Sequence, residues 1–152
     1  MADALQSRLV TLNAEYARCI DDDRLEDWPK FFRERCLYKI TTADNHARGY
    51  EAGLVYADSR AMLEDRVSAL REANVYERQR YRHLVGLPLA LPDGTVETPF
   101  LAVRILRDGT MDLFATGRYL DRVADMDGAL RFEQRIVVCD SSRFDTLLAI
   151  PL

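Results

Sequence analysis

Histidine is scarce in this chain. Its 152 residues hold only His46 and His83, and none of the three cysteines, Cys19, Cys36 and Cys139, lies within two residues of a histidine. Zinc, non-haem iron and iron–sulfur sites gather several Cys, His and carboxylate ligands, commonly in closely spaced pairs. No pair of cysteine or histidine at that spacing exists here, so a metal centre built by this chain alone is not expected. Three scattered thiols also exclude a disulfide framework and agree with a reducing compartment. There is no Gly-rich phosphate loop, no Gly-x-Ser-x-Gly elbow and no paired-His helix motif. No apolar run approaches the roughly 18 residues that a membrane-spanning helix needs. The net charge is −4 and the pI near 5.2, without the basic excess of a nucleic-acid binder. The expectation is a cytoplasmic protein of one domain over residues 1–152, free of repeats and linkers. That length can bury roughly 70% of the unfolded surface.

What is present has a clear order. Leu5, Leu9, Leu12, Tyr16 and Ile20 recur at spacings of four, three, four and four, which marks one face of a helix. Asp3 and Gln6 have capping-box spacing, and Asp21-Asp22-Asp23 ends the helix. Leu25 to Phe32 predicts a short helical turn whose Trp28, Phe31 and Phe32 plug one end of the core. A strand is expected over 36–41, then a polar stretch from Ala43 to Tyr50 with no period. A second long helix is expected over 59–73. Met62, Leu63, Val67 and Leu70 form its apolar stripe, Asp58 its N-cap and Asn74 its C-cap.

Beyond Asn74 the pattern changes to strands. Asp93-Gly94, Asp108-Gly109 and Asp127-Gly128 each sit between apolar runs, a strong hairpin signal. They separate strands expected at 79–91, 96–106, 111–124 and 130–140, an antiparallel meander. Alternation assigns their faces. Tyr81, His83, Val85, Leu87 and Leu89 fall on the apolar side, with Arg80 and Arg82 opposite. Leu101, Val103 and Ile105 oppose Arg104, and Leu130, Phe132, Gln134, Ile136 and Val138 oppose Arg131, Glu133 and Arg135. Strands this long must twist, and helices must cover the apolar face. The expected class is α+β: a long curved antiparallel sheet wrapped over N-terminal helices, a cystatin-like or nuclear-transport-factor-2-like cone. Its outer face would be a lattice of Arg80, Arg82, Arg104, Arg118, Arg131 and Arg135 among acidic residues.

Few residues invite chemistry. His83 falls on the inner face, where a carboxylate partner would make it a general base. The plainer reading, a core histidine bonded to backbone or to Gln134, is preferred. Asp44-Asn45-His46 reads as a loop or subunit contact rather than a metal site. Glu77 to Arg82 is locally basic around an aromatic and reads as a solvated face or protein contact. Cys36 and Cys139 read as small hydrophobes.

One stretch carries more than chemistry. Ala57-Asp58-Ser59-Arg60-Ala61-Met62-Leu63-Glu64-Asp65-Arg66-Val67, with Arg71-Glu72-Ala73-Asn74 and Arg80-Tyr81-Arg82-His83, resembles the small (beta) subunit of Rieske-type aromatic-ring-hydroxylating dioxygenases. So do Trp28-Pro29 to Phe32, Asp44-Asn45-His46-Ala47, Cys139-Asp140-Ser141 and the tail from Asp145 to Leu152. Within the family the pattern is nearest to terephthalate-oxidising members, with salicylate hydroxylases near. The resemblance implies a non-catalytic structural subunit, with no catalytic, cofactor-binding or metal-binding residue of its own. It implies a larger alpha subunit, typically in an alpha3beta3 hexamer, carrying a Rieske 2Fe-2S cluster and a mononuclear non-haem iron. NADH-derived electrons would arrive through a separate reductase, and dioxygen would be added to the ring as a cis-dihydrodiol. Arg80, Tyr81 and Arg82 are then candidates for a subunit interface. Two rivals stand beside this reading: a stand-alone cone-fold isomerase or dehydratase using His83 as acid/base, and a small-molecule binding module using the cone interior.

Overall fold

The computed structural model describes residues 2–73, 79–144, 148 and 150–152. The chain opens with helix α1 (Ala2–Asp21), a 3-10 turn (Trp28–Phe31) and strand β1 (Phe32–Thr42). Helix α2 (Ala43–Ala47), strand β2 (Val55–Ser59) and helix α3 (Arg60–Glu72) follow. The rest is β3 (Gln79–Val85), β4 (Leu89–Ala90), β5 (Val96–Leu106), β6 (Met111–Met126) and β7 (Ala129–Cys139). The class is α+β, and the sheet is large and curved, with strands in the order β2-β1-β7-β6-β5-β3 and β4 added to β5. All described pairings are antiparallel except one: β1 runs parallel to β7. That pair lies outside the expected meander, because nothing local in the sequence joins a strand to one so distant.

Helix α1 follows its stripe. Leu9, Leu12, Tyr16 and Ile20 are buried, whereas Leu5, at the first turn, is exposed. Gln6 does not reach back to cap the helix; its amide donates to the Pro88 carbonyl at 2.9 Å. Trp28 and Phe32 are buried as expected. The Trp28 indole N–H donates to the Tyr16 hydroxyl at 3.0 Å, and Tyr16 donates to the Leu152 carbonyl at 2.9 Å. The N-cap of α3 is Ser59 rather than Asp58: its Oγ accepts from the Met62 N–H at 3.2 Å. Leu63, Val67 and Leu70 are buried and Met62 is exposed. Asn74, the expected C-cap, lies outside the described residues. The stretch expected to lack a period is helix α2, which Thr42 caps by accepting from the Asn45 N–H.

The Asp-Gly turns form where expected. Between β6 and β7, Asp127 (φ 55) and Gly128 (φ 89) both take left-handed backbone angles, the conformation a two-residue hairpin of right-twisted strands needs. The first long strand stops early, at Val85, so Leu87 and Leu89 are exposed rather than buried. Strand β5 faces the other way from the expectation. Val96, Thr98, Phe100, Ala102 and Arg104 point inward, while Leu101, Val103 and Ile105 are only half-buried. Both sides of β5 are apolar, so alternation alone could not choose. Register chooses, pairing Leu101, Val103 and Ile105 with the outward Leu84, Arg82 and Arg80 of β3.

Strand β7 departs for another reason. The β6–β7 register slips between Arg122 and Val123, so one extra residue enters β7 and the inward face changes parity. Phe132 and Arg135 both point into the core, and Arg135 is fully buried. Its Nε and Nη2 donate to the two Asp121 carboxylate oxygens at 2.9 and 2.8 Å, and Nη2 also donates to Asn13 Oδ1. The guanidinium lies 3.8 Å from the Tyr119 ring centre, 4.1 Å from Phe132 and 4.3 Å from Tyr16. Arg104 and Arg135 therefore leave the expected outer lattice. Arg104 meets the Asp112 carboxylate with two hydrogen bonds, at 3.0 and 2.6 Å, with the Phe114 ring 4.9 Å away. A buried charge that loses its partner costs about 3–5 kcal/mol. Asp121→Ala should lower the urea-unfolding free energy by that amount, and Asp121→Leu with Arg135→Met should recover most of it.

Candidate functional site

His83 has the carboxylate that the sequence did not offer it. The partner is Asp21, the last residue of α1, set against the middle of β3. His83 Nδ1 lies 2.7 Å from Asp21 Oδ1, and the His83 backbone N–H donates to Oδ2 at 2.8 Å. The imidazole is fully enclosed and the carboxylate only 3% exposed. The Tyr81 and Phe100 rings stand 5.9 and 6.5 Å from the imidazole. The preferred partner, Gln134, is on the far side of the bulge in β7, half-buried. In sequence Asp21 heads a solvated-looking acidic run. The one available signal was its place four residues after Ala17 and five after Tyr16, on the buried stripe of α1.

The dyad is oriented as a general base requires, but reach decides its chemistry. A base must come within about 2.6–3.2 Å of the proton it takes, and the free Nε2 is enclosed in the core with no hydrogen-bond partner among the described residues. The arrangement fastens the end of α1 to β3. The cavity beside it, about 920 Å³, is lined by Asp21, Gln79, Arg80 and Tyr81 among others, but not by His83.

The remaining candidates do not converge. His46 sits half-buried in α2, its pKa lowered by burial and by the nearby charges of Arg118 and Lys39. Arg80 and Arg82 are exposed on β3, and Tyr81 between them is buried with its ring stacked 5.3 Å from Phe114. Burial pushes the thiols of Cys19 and Cys36 up to about 11 and that of Cys139 up to about 12. At Asp121, burial raises the carboxyl above its ordinary value and the Arg135 charge opposes the rise. Among the described residues, no group of three or more His, Cys, Asp or Glu could hold a metal ion. This donor set does not fit an iron centre. No described helix is long and apolar enough to cross a membrane.

A curved α+β sheet over helices, with an interior filled by aromatic rings and an arginine, defines a cone-fold chain whose inside is packed. Comparison with known proteins places it more closely. Residues 15–146 match the family model described as "Ring hydroxylating beta subunit". The chain is 51% identical, over 149 residues, to the terephthalate 1,2-dioxygenase terminal oxygenase component subunit beta 1 of a Comamonas species, covering 95% of this chain and 97% of that one. It is 38% identical over 145 residues to the anthranilate 1,2-dioxygenase small subunit of Burkholderia cepacia, covering 93% and 90%. A crystal structure assigned as the beta subunit of an aromatic-ring-hydroxylating dioxygenase from Novosphingobium aromaticivorans superposes with a TM-score of 0.89, at 36% identity and 99% coverage of both chains. The chain belongs to the ring-hydroxylating beta subunit family, and so is one subunit of a multicomponent dioxygenase that has an alpha partner.

Two expectations follow from this geometry. His83→Gln should lower the melting temperature by several degrees, as loss of a buried hydrogen-bonded pair does, and should leave ring oxidation by the assembled oxygenase within about twofold. A thiol reagent at pH 8 should leave Cys19, Cys36 and Cys139 unmodified in the folded chain and label all three in urea, since buried thiols with raised pKa supply little thiolate.

Proposed function

We propose that this chain is the non-catalytic small subunit of the terminal oxygenase of an aromatic-ring dioxygenase acting on terephthalate, an aromatic dicarboxylate. In this reading residues 1–152 form one domain and work in the cytoplasm. Three copies join three alpha subunits in an alpha3beta3 hexamer. The alpha subunit carries the Rieske 2Fe-2S cluster and the mononuclear non-haem iron, and a separate reductase brings electrons from NADH. Both oxygen atoms enter the ring to give a cis-dihydrodiol. This chain supports the assembly that holds the iron.

The observation that carries the reading is 51% identity, along almost the full length of both chains, to the Comamonas beta subunit. The donor set supports the division of labour: two histidines, one in α2 and one locked to Asp21, leave the iron to another chain. Arg80 and Arg82, exposed on β3, are proposed as interface residues, with Tyr81 beneath them as a buried support.

Native mass spectrometry of the tagged chain, captured gently from its source cells, tests this. The expected result is a complex with a larger, iron-bearing chain that consumes terephthalate when reductase and NADH are supplied. A metal-free assembly of this chain alone, with no larger chain, would overturn it. Turnover by the isolated chain that is lost in His83→Ala would favour the stand-alone isomerase or dehydratase instead.

A further inference from the structure

Strand β1 leaves the regular ladder near its start. Phe32 pairs with Phe132 and Leu37 with Gln134, so the four residues Arg33 to Cys36 stand opposite Glu133 alone. On the other side, the pairing with β2 slips between Arg35 and Tyr38. A bulge bends its strand away from the sheet, and bulges are frequent beside functional sites. The bowed segment borders a cavity of about 450 Å³, walled by Arg33, Glu34 and Arg35 of β1, Arg60 of α3, Met126 of β6 and Arg131 of β7. Four guanidiniums thus line one recess with a single carboxylate, in a chain whose net charge is −4.

We propose that this recess binds a small dianion, inorganic phosphate or a dicarboxylate. Three of its arginines are already held in place. Arg60 Nε donates to the Phe32 carbonyl at 3.0 Å, and its Nη2 donates to the same oxygen. Arg131 Nη1 donates to the Leu130 carbonyl at 2.9 Å, and Arg33 Nη1 meets Glu133 at 2.6 Å. Donors fixed before binding lose little freedom when a ligand arrives. Among the described residues, Arg35, Arg60 and Arg131 form no ion pair, and Glu34 is the one acid in the cavity wall. Like charges crowded together repel, and a doubly charged anion relieves what a single charge would leave in excess. The guanidinium fork matches the paired oxygens of carboxylate and phosphate. Size selects a small molecule, because the volume falls within the roughly 300–1,000 Å³ of ligand pockets.

The test is titration of the full chain with sodium phosphate and, separately, with disodium terephthalate, each against sodium chloride of equal ionic strength. Calorimetry and melting temperature are the readouts. One dianion or both should bind at a single site and raise the melting temperature by mass action. Arg35→Gln with Arg131→Gln should weaken that binding about tenfold or more, with circular dichroism unchanged. Arg35→Gln alone, at an exposed position, should still weaken it severalfold if the double variant folds poorly. A response to phosphate alone would support a phosphate site, and one to terephthalate alone a dicarboxylate site. An equal response to chloride, meaning charge screening only, would overturn the inference. So would unchanged binding in the folded variants. Binding shown by the chain alone but lost in the assembled oxygenase would overturn it too, since a partner chain would then cover the recess.

Discussion

The buried Arg135–Asp121 pair is the contact on which the arrangement of the core depends. Both residues are core-facing cross-strand partners, on β7 and β6, and Asn13 draws α1 into the same cluster. Asn13 in turn lies 3.4 Å from the Thr98 hydroxyl on β5. One guanidinium thus orients a helix and sets the register of adjacent strands. Three aromatic rings pack around its plane, covering the part of the ion that hydrogen bonds do not reach. Removing two charges from water carries a heavy cost, which the bidentate geometry and these rings offset. Such a centre gives directional information that an all-aliphatic core lacks, because a slipped register would strand a buried charge.

This packing separates the chain from the catalytic use of its shape. A cone can enclose a pocket, but here Tyr16, Trp28, Phe32, Tyr38, Tyr119 and Phe132 are fully buried together. The Tyr38 hydroxyl also donates to the Leu152 carbonyl at 2.9 Å and accepts its N–H at 3.1 Å, so the last described residues close over the same cluster. A His–Asp dyad lies inside, with its imidazole fully enclosed. An interior filled in this way is suited to a rigid support whose outer surfaces do the work.

The helices and turns were largely legible because their signals are local: a 3.6-residue stripe in α1 and α3, and Asp-Gly at three turns. The family resemblance was legible in the same way, from contiguous motifs. Faces were not, wherever a bulge intervened. Reading β7 by strict alternation put Arg135 outside, and one inserted residue reversed it. Both sides of β5 are apolar, so only its pairing with β3 shows that Arg104 turns inward to Asp112. The His83–Asp21 contact spans 62 residues, and no spacing rule joins the end of a helix to the centre of a strand. Strand β2 was missed because Val55 to Ser59 is short and runs directly into the motif that identifies α3.

The parallel seam between β1 and β7 also has a bearing on time. Arg33 and Glu133, joined across it at 2.6 Å, are 100 residues apart in the chain. Contacts of such long range must close a large loop before they repay it, and they slow folding. During synthesis β1 leaves the ribosome early and can pair with β2, but its other edge stays open until β7 has been translated. The meander of β5, β6 and β7 can form first from its own hairpins and then present an edge to the waiting strand. Completion of the sheet is thereby deferred until its last strand, β7, has been made.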